Sequence, residues 1–281
     1  MSGHAFKAYL YSNSLDTSRK ASSYLKALEW LPKMLARESY GFEDCIDIYS
    51  VDSIQRLHEL REQVLQEQKK GPESPWVHPD ISASYLGNYY CSAALAALIE
   101  FQLQNQYSQQ VFRRLEANPG DEAAAAQALD FEPEYPAYLD PDPKSKEGKD
   151  RIRSAKTRIG QQTFHDMIFR HYQNRCCLTG LDLPQVNRAS HIIGWAERKD
   201  TRMDPRNGLC LSATYDAAFD RKLITFDEDY RLVCSKTIRQ HVPSESVRTY
   251  FLDREGDAIE RPRAFAPLQA YLEEHRKGGD F

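Results

Sequence analysis

Three stretches of the first hundred-odd residues place apolar side chains every three or four positions, the period of one face of a helix. In "ASSYLKALEWLPKMLA" these are Tyr24, Leu25, Leu28, Leu31 and Leu35, after small polar residues that can cap a helix. "VDSIQRLHELREQVLQEQKK" repeats the spacing with Ile54, Leu57, Leu60 and Val64, and Asp52 or Ser53 can serve as its N-cap. "ASYLGNYYCSAALAALIEFQLQ" is apolar round much of its circumference and is therefore expected at the centre of a helical module. Between the first two, "CIDIYS" alternates apolar and polar residues, which predicts a short strand or extended connection.

The pattern breaks at residues 119–149. "PGDEAAAAQALDFEPEYPAYLDPDP" mixes proline, acids and an alanine run, the composition of a linker with a helical turn or two. The composition then reverses: residues 144–175 hold nine Lys and Arg against three acids. Ile159, Phe164, Ile168 and Phe169 in this block predict a helix from about Thr157 to Tyr172. After it, "CCLTG" and "ASHII" read as two short extended pieces. "NGLCLSATYDAAFDRKL" has Leu211, Ala218 and Phe219 on one face of a short helix, and "LITFDEDYRLVCS" reads as a hairpin turning at Asp227, Glu228 and Asp229. The expected organisation is a helical module over 1–118, a linker over 119–149 and a second module over 150–281, an α+β chain.

Composition narrows the setting. With 41% hydrophobic and 28% charged residues the chain is an ordinary globular protein, and 281 residues suffice for two domains. The formal charge of −4 means that any anion-binding surface is local. No stretch approaches the length of a membrane span and the N-terminus lacks a secretory apolar run, so a cytoplasmic protein is expected. The six cysteines include no C-x-x-C, which favours buried thiols over a zinc knot.

The candidate chemistry lies in "SHIIGWAERKDTRMDPRNGLCLSATYDAAFD", residues 190–220. A histidine closing a short strand, with an asparagine beyond a loop, suits phosphodiester hydrolysis. Histidine titrates near neutral pH and can take a proton from water, and asparagine can hold it or ligate a hard cation. Arg198, Lys199, Arg202 and Arg206 lie in the loop between His191 and Asn207, where neutralising phosphates would supply affinity for nucleic acid. Arg221 and Lys222 extend the cationic set. Asn207-Gly208 also reads as a simple turn.

The ordered run "CCLTG…ASHIIGW…DPRNGLCLSATYDAAFDRKLITFD" resembles HNH endonucleases of the ββα-metal fold, and within them the branch of bacterial restriction enzymes. The resemblance spans roughly residues 170–235. It implies that His191 is the general base and Asn207 the middle residue of the signature. It also implies a metal-dependent DNA endonuclease acting in restriction or antiviral defence. The third, metal-binding histidine of the signature would fall at Tyr215, and a second ligand often stands where this chain has Ser190. Asp216 and Asp220, four residues apart and on one helix face, can supply carboxylates to Mg2+ or Mn2+ instead, with Asn207 beside them. Zn2+ stays open. A tyrosine hydroxyl near the phosphate is the other use of Tyr215. Cutting both strands with one site per chain favours a homodimer on DNA. The alternative is an HNH scaffold that has lost catalysis and acts by binding DNA.

Overall fold

The computed structural model describes residues 3–12, 19–241 and 244–281. The chain forms two compact units, one of residues 1–106 with 135–152 and one of residues 107–134 with 153–281.

The first unit is helical. It contains α1 (Gly3–Ser12), α2 (Lys20–Leu35), α3 (Ile54–Lys70), α4 (Ala83–Gly87) and the first part of α5 (Tyr90–Glu116). The predicted apolar stripes meet in its core: Leu28 and Leu31 of α2, Leu57, Leu60 and Val64 of α3, and Leu95 and Leu98 of α5 are all buried. Ser53 is the cap of α3, its hydroxyl accepting from the Arg56 amide at 3.2 Å. The "CIDIYS" stretch forms two 3-10 turns, Glu43–Cys45 and Ile48–Ser50, in place of the expected strand. The reason is local. Asp47 accepts from the Tyr49 amide and closes the second turn, and Cys45 and Ile48, three residues apart, are both buried.

The stretch expected as a linker carries a short helix, α6 (Glu122–Ala128), capped by Asp121 with Ala125 and Ala126 buried. Helix α7 runs from Lys146 to His171, so it starts well before Thr157. Its basic first half offers only Ile152 and Ala155 as apolar positions, too few to announce a helix. Ser145 starts it by accepting from the Gly148 amide at 2.9 Å, and Asp140 secures the first turns through Arg151 at 2.7 Å.

The second unit is α+β. Strand β1 (Asn187–His191) pairs antiparallel with β2 (Gly208–Ser212), in a register that runs from Asn187 opposite Ser212 to His191 opposite Gly208. Helix α8 (Ala213–Asp220) follows β2 directly. The order strand, strand, helix is as expected, with different members: "CCLTG" is a turn segment, and the first half of the expected helix at "NGLCL" is the second strand. Leu209, Cys210 and Leu211 are all buried, which is the signature of a strand covered on both faces and is easily mistaken for one buried face of a helix. A second hairpin, β3 (Ile224–Phe226) with β4 (Leu232–Cys234), turns at the predicted acidic stretch. Three helices complete the unit: α9 (Lys236–Gln240), α10 (Glu245–Tyr250) and α11 (Gln269–Lys277). His275 of α11 lies flat on Phe219 of α8, 3.9 Å between centroids, and bonds the Phe219 carbonyl and the Thr225 hydroxyl at 3.0 Å each.

Gly208 shows why the hairpin sits where it does. Its backbone is extended, so Asn207-Gly208 is the entry to a strand and not a left-handed turn. A Cβ at position 208 would fall 2.8 Å from Phe164 of α7 and still closer to Ile168. Glycine is therefore required by the close approach of β2 to α7.

Candidate functional site

His191 ends β1, and three neighbours define its environment. The Phe164 ring is stacked on the imidazole at 3.6 Å between centroids, with the planes 16° apart. Trp195 meets it edge-on at 5.5 Å. The third contact is from Nε2 to the backbone oxygen of Arg202, at 3.0 Å. A carbonyl only accepts, so Nε2 carries the proton and Nδ1 keeps its lone pair in the neutral ring. Nδ1 has no protein partner among the described residues, and the ring is part-buried, with Nδ1 not fully sealed from solvent. Burial in this aromatic niche lowers the His191 pKa to about 4. The imidazole is therefore neutral at physiological pH, in one tautomer, with its basic nitrogen free of a protein partner among the described residues.

Asn207 holds the loop that supplies the Arg202 carbonyl. Its Oδ1 accepts from the Ile193 amide at 2.8 Å, and its Nδ2 donates to the Ile193 and Thr201 carbonyls at 3.0 and 3.1 Å. It is fully buried. The amide thus ties the two ends of the loop together one residue from Arg202, and its polar atoms are turned inward. Gly160 of α7 leaves room for Trp195, because a Cβ there would lie 3.2 Å or less from the indole.

Ser190 precedes His191 at the end of β1, and its hydroxyl donates to the Asp216 carboxylate in the first turn of α8. Asp220 lies one turn further along that helix, and its pKa is raised by partial burial and then by the Asp216 charge. Ser190, Asp216 and Asp220 therefore offer hard oxygen donors, with Arg221 partly offsetting the carboxylate charge at Asp220. That donor set fits a divalent cation of the Mg2+ or Mn2+ kind, which needs one or two carboxylates and keeps several waters. Among the described residues no three His, Cys, Asp or Glu side chains are arranged to hold a metal, and the six cysteines are all free and buried.

The other predicted site residues are dispersed. Tyr215 is buried, donates its hydroxyl to the Tyr250 carbonyl and packs edge-on against Phe251 at 5.6 Å, so its polar atom is used within the fold. Arg206 pairs with buried Asp204 at 2.8 Å, and Tyr271 donates to the same carboxylate at 2.9 Å. Arg198 is shared between Asp200 and Glu274. Arg202 lies over the Trp195 ring and donates to the Trp195 carbonyl at 2.7 Å. Lys199 is exposed and has no ion pair among the described residues. Arg221 donates to the Ala217 carbonyl at the end of α8, with Lys222 next to it.

Phe164, Trp195 and the Arg202 carbonyl, which set the protonation of His191, were not legible as site residues. In the sequence Ser190 is visible only as a departure from the family's pattern, because its contact with α8 depends on the fold.

Residues 176–227 match the family model of an HNH endonuclease. The match begins at Cys176, takes in both strands and α8, and ends at Asp227 beyond β3. No curated protein matches the chain.

Proposed function

From the HNH endonuclease domain at residues 176–227, we propose that this chain hydrolyses DNA phosphodiester bonds with the help of a divalent cation, His191 acting as general base. The observation that carries the proposal is the hydrogen bond from His191 Nε2 to the Arg202 carbonyl, which leaves Nδ1 unprotonated and without a protein partner among the described residues. Asn207 is a positioning residue, because it fixes the loop bearing that carbonyl. Asp216 and Asp220, with the Ser190 hydroxyl, would hold the cation. When bound, the cation supplies positive charge against the phosphate and the departing oxygen.

In this mechanism Nδ1 of His191 takes a proton from a water molecule as its oxygen attacks phosphorus. The bond from phosphorus to the 3′ oxygen breaks, and that oxygen is protonated from solvent. The family resemblance implies 5′-phosphate and 3′-hydroxyl products. His191 returns its proton to solvent, which a group of pKa about 4 does readily at neutral pH. Lys199, Arg202, Arg221 and Lys222 are the proposed phosphate contacts; Arg198 and Arg206 act within the fold.

The test is cleavage of plasmid DNA in Mg2+, Mn2+ or Zn2+ and in EDTA by wild type, His191→Ala and Asp216→Asn. Cation-dependent cutting by wild type, reduced about 10²- to 10⁴-fold in His191→Ala, is expected. Binding of DNA without cutting under any cation would instead identify a scaffold that has lost catalysis. A restriction or antiviral role requires that modified DNA be spared and unmodified phage DNA be cut. Double-strand cutting with one site per chain calls for two chains on the duplex, which sedimentation with and without DNA measures.

A further inference from the structure

Four arginines, none of them among the residues assigned above, line one concavity in the second unit. The cavity encloses about 570 Å³ and is lined by Arg170, Arg175, Arg261 and Arg263, with Glu260 the only carboxylate in the lining. All four arginines are exposed, whereas the lining residues Tyr172, Cys176 and Cys177 are buried. The charges are poorly compensated. Arg175 approaches Asp182 at 3.6 Å, where both side chains are more than half exposed to water. Arg170 and Arg261 rest over the rings of Phe112 and Tyr230, contacts that leave the guanidinium charge in place. Arg263 has no ion pair among the described residues. In a chain of net charge −4, these arginines make a local cationic surface that attracts anions.

Two more observations bear on the ligand. His171 also lines the cavity, with its ring parallel to Phe265 at 5.2 Å and Nδ1 buried without a hydrogen-bond partner. That nitrogen is sealed from the cavity, so His171 contributes the rest of its ring to the wall. The cavity wall is also joined to the catalytic hairpin. Tyr172 donates to the carbonyl of Gly208, the residue opposite His191, at 3.3 Å, and the Cys177 amide donates to the Cys210 carbonyl at 2.7 Å. The Cys177 carbonyl in turn accepts from the Glu260 amide at 2.7 Å, which fixes the 260–263 segment beside it.

We propose that this arginine-rimmed cavity binds a phosphate group of the nucleic-acid backbone at a distance from the scissile bond, and so anchors the substrate on the unit that carries His191. Planar guanidinium groups lining one cavity match the geometry of phosphate oxygens, which each can engage in paired hydrogen bonds. The inference rests on the DNA-hydrolysing reading for the source of the phosphate, though the chemistry of the cavity does not.

The experiment measures binding of a 30-base-pair duplex in EDTA over a range of salt, for the full-length wild type, for Arg261→Gln with Arg263→Gln, and for Lys7→Gln with Lys69→Gln as an equal change of charge in the first unit. Both arginines are exposed, and a thermal melt confirms folding of each variant. The expected result is weaker binding by the arginine variant, a salt slope shallower by about two, restoration by lysine at both positions, and little change in the lysine control. Wild-type affinity and slope in the arginine variant would overturn the proposal. If wild type binds no DNA, inorganic phosphate and a nucleoside monophosphate become the probes. Thermal stabilisation by either in wild type, lost in the arginine variant, would keep the phosphate site and assign it to a free ligand while the nuclease reading fails. No response to either would overturn both.

Discussion

The Phe164 ring covers one face of the His191 imidazole at 3.6 Å, so a residue of α7 sets the basicity of a group on β1. Desolvation is the first cause of the depressed pKa, and the bond to the Arg202 carbonyl opposes it by favouring the protonated ring. Replacing Phe164 with leucine opens the niche without emptying it. The His191 pKa is then expected to rise from about 4 toward the ordinary value of 6.5. Any acid limb of the cleavage profile should move up with it. Histidine ring NMR titration of wild type and Phe164→Leu gives both numbers, and a wild-type His191 midpoint near 6.5 would contradict the desolvation argument.

Folding stability should also fall as acid is added. His191 and His275 both have folded pKa values lowered to about 4 by burial, against 6.5 when free. Above 6.5 both are neutral in either state and their contribution to stability is complete. Between 6.5 and 4 the unfolded chain takes up protons that the folded chain refuses, so each costs up to about 1.4 kcal/mol per pH unit. The lowered pKa of His171 acts in the same direction. Urea titrations at pH 7, 6, 5 and 4 measure the slope, and His275→Gln should make it shallower by one proton.

Asn207→Ala removes three hydrogen bonds and leaves the Ile193 amide and the Ile193 and Thr201 carbonyls to find other partners. A loss of at least about 3 kcal/mol is expected from these buried groups. Asn207→Asp keeps the acceptor for Ile193 but turns an oxygen toward two carbonyls, and should be no better at neutral pH. Equilibrium unfolding compares them. Near-wild-type stability in both would mean that the loop does not depend on this side chain.

The two carboxylates of α8 should be felt through cation affinity. Asp216→Asn and Asp220→Asn are each expected to raise the Mg2+ or Mn2+ concentration needed for half-maximal cleavage at least about tenfold. In the absence of cation, Asp216→Asn should also return the Asp220 pKa toward the ordinary carboxylate range, because it removes a neighbouring charge. Calorimetric titration with Mn2+ supplies a readout independent of activity; unchanged affinity in both variants would remove the assignment.

Arg206 and Lys199 lie in the same loop and should behave differently. Arg206→Ala strands the buried Asp204 carboxylate with only Tyr271 and the local backbone, at a cost of about 3 kcal/mol in stability. Lys199→Ala should leave the melting temperature unchanged and weaken DNA binding, with a salt slope shallower by about one. The reverse pattern would exchange their assigned roles.

Periodicity along the chain determined the helices of the first unit, because residues such as Leu57, Leu60 and Val64 repeat at the helical period and are buried together. It also located the β3–β4 hairpin and the end of β1 at His191. The ordered motifs "SHII", "NGL" and "DAAFD" were enough to identify the kind of domain, in agreement with the HNH endonuclease match at residues 176–227. Local order did not reveal the first half of α7, whose basic residues form a helix with too few apolar positions to mark a stripe, or β2, whose side chains are buried on both faces.

What the tertiary structure alone decided is the chemical state of these residues. The neutral tautomer of His191 depends on a ring from α7 and a carbonyl from the loop, both separated from it along the chain. The polar ends of Asn207 and Tyr215 are directed by loop and helix contacts that no spacing encodes, and the arginines that line one cavity come from segments about ninety residues apart. Burial and hydrogen-bond partnership are properties of packing, so the sequence specifies which groups are present and the fold specifies which of them are free to react.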